Sequence, residues 1–245
     1  MSAATAYDPT VHLVTPQPVD DSVSAGFVNV TSLLDQVSLT AWLNEAIKGA
    51  TDYDVIGSIV EPFSGDWEKV STYGSTLANM SQCLRGIAGN VGAATTDLDF
   101  HWNGNAADAA HLYFTATSKS LTMHADALDR AAKQYQALAL DVWHFHEALK
   151  GLLQSIVDQG LLFLIYTAAG TALCETVIGA VAGYALAAAE LAKLLQTINK
   201  ASKIVQMANM AFQTGFSTLV GILKEIEDLG PIPALGKPYD HPMVR

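Results

Sequence analysis

Between about Asp66 and Asp99, apolar side chains recur every seven residues at Val70, Leu77, Leu84, Val91 and Leu98, with Tyr73, Met80, Ile87 and Ala94 three positions after them. That spacing keeps one stripe on one helix face. It predicts a long helix with a coiled-coil seam, spanning roughly 50 Å at 1.5 Å per residue. A second seam starts after residue 104, with Ala107, Phe114, Leu121, Leu128, Tyr135, Val142, Leu149 and Ile156 in one row. Its other row is Ala110, Thr117, His124, Ala131, Leu138, Phe145 and Leu152. If continuous to about Asp158, this second helix spans roughly 80 Å, so some 30 Å of its stripe needs a partner other than the first helix. The helices are joined at His101-Trp102-Asn103-Gly104, with Asn105 as the expected N-cap. So short a connection predicts an antiparallel hairpin.

The flanking segments read differently. Residues 1–30 hold Pro9, Pro16, Pro18 and the pair Asp20-Asp21 with no sustained period, an extended acidic arm. The stretch 31–65 reads as a short helix, carried by Leu33, Leu34, Val37, Trp42, Leu43 and Ile47 and stopped by Gly49, followed by a loop from Gly57 to Gly65. Beyond the hairpin at 66–158, the stretch 159–230 holds an Ala/Gly-rich apolar segment and then an amphipathic helix through Leu191, Leu194, Ile198, Val205, Phe212, Leu219 and Ile226. Gly230-Pro231 ends that helix, and 231–245 is a proline-rich tail. The expected fold is all-α: an antiparallel long-helix hairpin extended by further C-terminal helices into an elongated bundle.

The apolar segment Leu161–Ala189 contains one formal charge, Glu175, and its length alone qualifies it to cross a membrane. Glu175 lies near its centre, where a carboxylate is costly in lipid, and its threonines and alanines dilute its hydrophobicity. The pair Gly179 and Gly183 has the small-xxx-small spacing that lets helices approach closely in soluble and membrane bundles alike. A buried helix is preferred to a membrane span on this composition, and whether the chain is one helix through Gly179–Gly183 is left open.

Composition narrows the function classes. Of 245 residues, 13 are Lys or Arg and 24 Asp or Glu, a formal net charge of −11, with the basic residues scattered. Nucleic-acid binding requires clustered cations, so no nucleic-acid partner is expected. The chain is 50% hydrophobic and only 15% charged, so an extensive interface, a partner chain or a membrane must cover apolar surface. Two cysteines, Cys83 and Cys174, are too few for a disulfide framework or a Cys-based zinc site. Met1 to Ile47 contains neither Lys nor Arg and no long apolar run follows Met1, so a cleaved Sec leader is not expected.

Reactive chemistry finds little support. Asp141, His144 and Glu147 are three apart and share a helix face, but a zinc helix needs two histidines four apart with a glutamate between them. A solvated polar stripe is the preferred reading, and no metal or other cofactor is expected. His101 and His111 flank the bend without a spaced third ligand. There is no Gly-x-Ser-x-Gly, no dinucleotide fingerprint and no P-loop, so a non-enzyme is expected.

Trp102-Asn103-Gly104, set between two heptad-patterned helices, resembles the Trp-x-Gly bend of the WXG100 or ESX-like group of type VII secretion substrates. Gly104 suits the positive φ of a tight turn, and Trp102 supplies an aromatic ring to cover the tip or anchor a partner. The resemblance spans about Asp66 to Asp158. The flanking segments look like longer members whose secretion module precedes a toxin domain, although no toxin domain is expected within these 245 residues. What the resemblance implies is export without a cleaved signal from a bacterial cytoplasm, and dimerisation with itself or with another WXG100-like chain. It also implies docking to the type VII export ATPase and the carriage of a separately encoded toxin. The chain departs from the group in one respect: none of its eight tyrosines has an acidic residue four positions on. Trp143 with Glu147 is the nearest equivalent of that secretion signal, and a partner chain is the other source for it. The alternative class is a membrane-acting helical protein that opens 161–189 as a hairpin into lipid.

Overall fold

A computed structural model of the chain describes residues 7–19, 44–49, 54–63, 65–172, 177–231 and 233–234. Among these there are helices and no strands: an all-α architecture. Residues 44–49 are helical, and the major helices are α1 (Val55–Val60), α2 (Trp67–His101), α3 (Asn105–Ala172) and α4 (Val177–Asp228). A 3-10 turn covers Pro9–His12 and another Glu61–Phe63. The chain forms two compact units. The first comprises residues 1–17, 72–136 and 217–245, the second 18–71 and 137–216.

In the first unit α2 and α3 run antiparallel, since their partners rise along one helix and fall along the other. The Tyr73 and Tyr135 rings meet edge to face at 5.0 Å, Ser81 Oγ donates to the Ala125 carbonyl at 2.7 Å, and Ser118 Oγ donates to the Ala88 carbonyl at 2.9 Å. The face that α2 buries is Gly74, Ser81, Ala88 and Thr95, with Ser71 and Leu77 beside it. This corrects the expected seam. Tyr73, Met80 and Ala94 are exposed, and the buried row sits one residue later, on small and hydroxyl-bearing side chains. The reason is distance: a Cβ built on Gly74 would stand 2.9 Å from the Ala132 carbonyl oxygen, so the helices are too close for a row of large knobs. On α3 the small residues Ala125, Ala127, Ala131 and Ala132 are buried to match. The two polar seam positions bond to their own helix, Thr117 to the Tyr113 carbonyl and His124 Nδ1 to that of Ser120.

The second unit has a different core. Phe212 on α4 stacks on Trp67 at 5.5 Å and meets Phe63 and Phe145 edge to face at 6.1 and 6.4 Å. Ile47, Ile59, Leu138, Val142, Leu149, Ile156, Leu194 and Ile198 complete it. The stretch from Gly57 that was expected to be a loop is helical because Asp54 caps α1. Its carboxylate accepts from Gly57 N–H at 2.9 Å and from Asn44 at 3.1 Å, bonds that hold its pKa below the usual carboxylate value, and Ile59 and Phe63 turn inward. The expected helix over 31–48 falls outside the described residues up to 43, and the helical stretch 44–49 runs through Gly49.

Two expected boundaries move. α3 does not stop near Asp158: it runs on through buried Gly160 to Ala172, pinned by Gln159, whose side-chain oxygen accepts from Thr197 on α4 at 2.9 Å. Gly179 and Gly183 both lie inside α4, which is continuous through them. At its other end α4 stops at Asp228, followed by Gly230 with φ of 69°. Of the expected tail, Pro233 is fixed by its carbonyl accepting from Tyr113 Oη at 2.9 Å, and 235–245 lie outside the described residues.

Candidate functional site

The bend between α2 and α3 is built from the backbone up. Trp102 N–H still bonds to the Leu98 carbonyl at 2.9 Å, extending the last turn of α2, while His101 Nδ1 donates to the Asp97 carbonyl at 2.8 Å. Gly104 then takes φ of 105°, a conformation that an L side chain disfavours. The Gly104 carbonyl accepts from Asp108 N–H at 3.0 Å, the first bond of α3, so Gly104 occupies the N-cap position expected of Asn105. Asn105 is the first helical residue instead.

Apolar side chains crowd this bend and face outward. Phe100 is 79% exposed, Leu112 70%, Trp102 44% and Leu98 44%. Just short of the turn the two helices leave a small open cleft lined by Thr95, Leu98, Trp102, Ala107, His111 and Phe114. His111 Nδ1 stands 3.7 Å from Asp99 Oδ1 across its rim. The cleft has an apolar floor with one imidazole–carboxylate pair at its edge. Phe100 and Leu112 were not singled out from the sequence.

Trp143 and Glu147 lie one turn apart on α3 in the second unit. The half-buried Trp143 ring meets His144 edge to face at 4.9 Å, and Glu147 faces Lys150 at 3.9 Å. Beside them, burial pushes the His146 imidazole below its ordinary pKa, opposed by Glu147 and reinforced by Lys150. Of the polar trio, Asp141 is half-buried while His144 and Glu147 are exposed, and among the described residues no three His, Cys, Asp or Glu side chains gather closely enough to hold a metal.

The end of the α3–α4 pair is the third site. Gly183 is buried against Gly170: a Cβ added to it would stand 2.5 Å from Gly170 Cα. Tyr184 packs over Gly170, and its hydroxyl lies 3.3 Å from Thr171 Oγ1. Sequence spacing pointed to Gly179 and Gly183, and the structure gives Gly183 its partner, Gly170, while Gly179 is half-buried. Around this contact 159–172 and 177–189 contain no Asp, Glu, Lys, Arg or His, and Leu162, Ile165, Val181, Tyr184 and Leu186 are 40–64% exposed. Within α3 lies a stretch long and apolar enough to cross a membrane, of which 11% is buried. The segment 161–189 is therefore not a buried core helix in this chain; its described residues are divided between two helices and largely face out.

No family model, curated protein or solved structure matches this chain. Its likeness to WXG100-like proteins stands at the level of fold class, a bundle of helices with no strand among the described residues.

Proposed function

We propose that this chain is a non-enzymatic secretion substrate or carrier module of the type VII, ESX-like class, which docks through the bend at Trp102-Asn103-Gly104. The observation that carries this reading is the outward-facing apolar set at that bend, Leu98, Phe100, Trp102 and Leu112, around a hairpin turn that only Gly104 makes at low cost. Aromatic anchors of this kind dominate binding energy once a partner excludes water around them. The partner is a second WXG100-like chain, the same or different, and the export ATPase. With no Tyr-x-x-x-Asp/Glu in this chain, the export signal comes from Trp143 with Glu147 or from that partner. A separately encoded toxin is the cargo of the carrier form, and the protein leaves the cell without a cleaved signal peptide. The test compares export of the wild-type chain with that of Phe100→Ser/Trp102→Ala at equal intracellular level and equal melting temperature. The reading expects the variant to be exported at least tenfold less; equal export of the two removes the bend as the docking site.

The exposed limbs 159–172 and 177–189, which carry no charge and flank the single carboxylate Glu175, favour a second reading, in which this end of the α3–α4 pair enters lipid. The charge-free part of each limb, 14 or 13 residues, is about 20 Å long, so the two would enter as a shallow re-entrant pair held together by Gly170 and Gly183. Flotation with liposomes, lost in Val181→Asp while the helical spectrum persists, supports this reading. Wild-type chain that stays with the soluble fraction rejects it.

A further inference from the structure

The N-terminal arm is bound to α2 as a peptide ligand is bound to a receptor. Tyr7 N–H donates to Asn90 Oδ1 at 3.1 Å while Asn90 Nδ2 donates back to the Tyr7 carbonyl at 2.6 Å, so one side-chain amide satisfies both backbone groups of one residue. About three turns away Asn79 Nδ2 donates to the Val14 carbonyl at 3.1 Å. Between them Pro9 sits on Gly86, where an added Cβ would stand 2.8 Å from Pro9 Cβ and 3.2 Å from Tyr7 Cε1. Asn79, Cys83, Gly86 and Asn90 are spaced four, three and four residues apart and so form one stripe along the helix.

The arm is also shaped before it docks. Asp8 accepts from Thr10 N–H at 2.9 Å and from Thr10 Oγ1 at 2.7 Å, Pro9 opens the 3-10 turn, and Leu13 N–H closes it onto the Thr10 carbonyl at 2.9 Å. The Tyr7 hydroxyl bonds His12 Nε2 at 2.7 Å. Yet its apolar side chains are spent on water: Tyr7, Val11, Leu13 and Val14 are 50–60% exposed. A segment held by backbone hydrogen bonds and one proline seat, with little burial, is one that can leave.

We infer that the Asn79–Cys83–Gly86–Asn90 stripe of α2 is a binding groove for a peptide segment carrying a proline over Gly86, and that residues 7–14 are its resident, exchangeable ligand. This does not rest on the export reading, since it needs only the arm and α2. The test titrates a fluorescent peptide of residues 4–17 into three full-length chains: wild type, Tyr7→Ala/Pro9→Ala with its own arm weakened, and the latter with Gly86→Leu added. The peptide should bind the arm-weakened chain at least tenfold tighter than wild type, because the resident arm no longer competes. Gly86→Leu should cost that binding at least tenfold, with the helical spectrum retained, since the new side chain meets only the arm. A peptide that binds no chain, or all three alike, overturns the inference. Cys83 supplies an independent readout once Cys174→Ser leaves it the single thiol: maleimide should label it several-fold faster in the arm-weakened chain, and added peptide should slow it again. A rate unchanged by arm or peptide also counts against the groove.

Discussion

The two units of this chain bury their helices by opposite means. In the first, α2 and α3 meet through Gly74, Ser81, Ala88 and Thr95, and cross-helix bonds from Ser81 and Ser118 replace large side chains. Around that interface lie the ion pairs Arg85–Asp126 and Arg130–Glu225, each at 2.6 Å, and at the bend the apolar Phe100 and Leu112 stand exposed. In the second, Phe212 and its three aromatic neighbours fill a core of large residues, while the far end of α3 and the start of α4 keep an apolar face exposed. A close small-residue interface fixes the geometry of a bend, while the large residues of this chain are divided between one core and two exposed faces.

Substitutions break this contrast in a graded way. Phe212→Ala removes the hub of the aromatic core and should cost about 3–5 kcal/mol, read as a drop in the denaturation midpoint. Gly183→Leu puts a side chain where Gly170 backbone stands and should cost about 3 kcal/mol by forcing α3 and α4 apart, seen by the same measurement. At the bend, Gly104→Val meets no neighbouring atom within 4 Å, so its cost is backbone strain alone, about 1–2 kcal/mol; a melting temperature equal to wild type would refute the turn. Ser81→Ala leaves the Ala125 carbonyl without its buried donor and should cost about 1 kcal/mol.

The smallest effect is a pH dependence in the second unit. Burial holds His146 below its ordinary value of 6.5, so the unfolded chain takes up the proton first. The contribution is fully present above pH 6.5 and is lost as pH falls from there through the folded value. His146→Gln should therefore lose less stability than wild type between neutral and mildly acidic pH, measured by urea midpoints at the two conditions. A wild-type and variant difference that does not change with pH would remove His146 from the account.

Much of the architecture was legible because helices announce themselves by spacing: both long helices and their antiparallel pairing follow from seven-residue recurrence and a four-residue turn. The positive φ at Gly104 was legible for the same reason, as a glycine between two helices. The buried face of α2 was not, because a hydrophobicity pattern follows Tyr73 and Met80 and passes over Gly74 and Ser81, whose value lies in being small. The expected end near Asp158 does not exist, because Gly160 is buried inside the helix and Gln159 is bonded to Thr197, tertiary effects that a local window does not contain. The docked arm left no hydrophobic period at all, since it is held through its backbone. At the bend, the exposed apolar set was half visible: Trp102 by its motif, Phe100 and Leu112 only once their exposure was known.

The most direct test of the central claim is the intact mass and abundance of this chain in the culture supernatant of its host, with and without the type VII export ATPase. The account predicts full-length protein outside the cell that disappears when the ATPase is removed. Protein retained inside both strains would contradict it, and would leave Trp102-Asn103-Gly104 as a hairpin turn with no role in export.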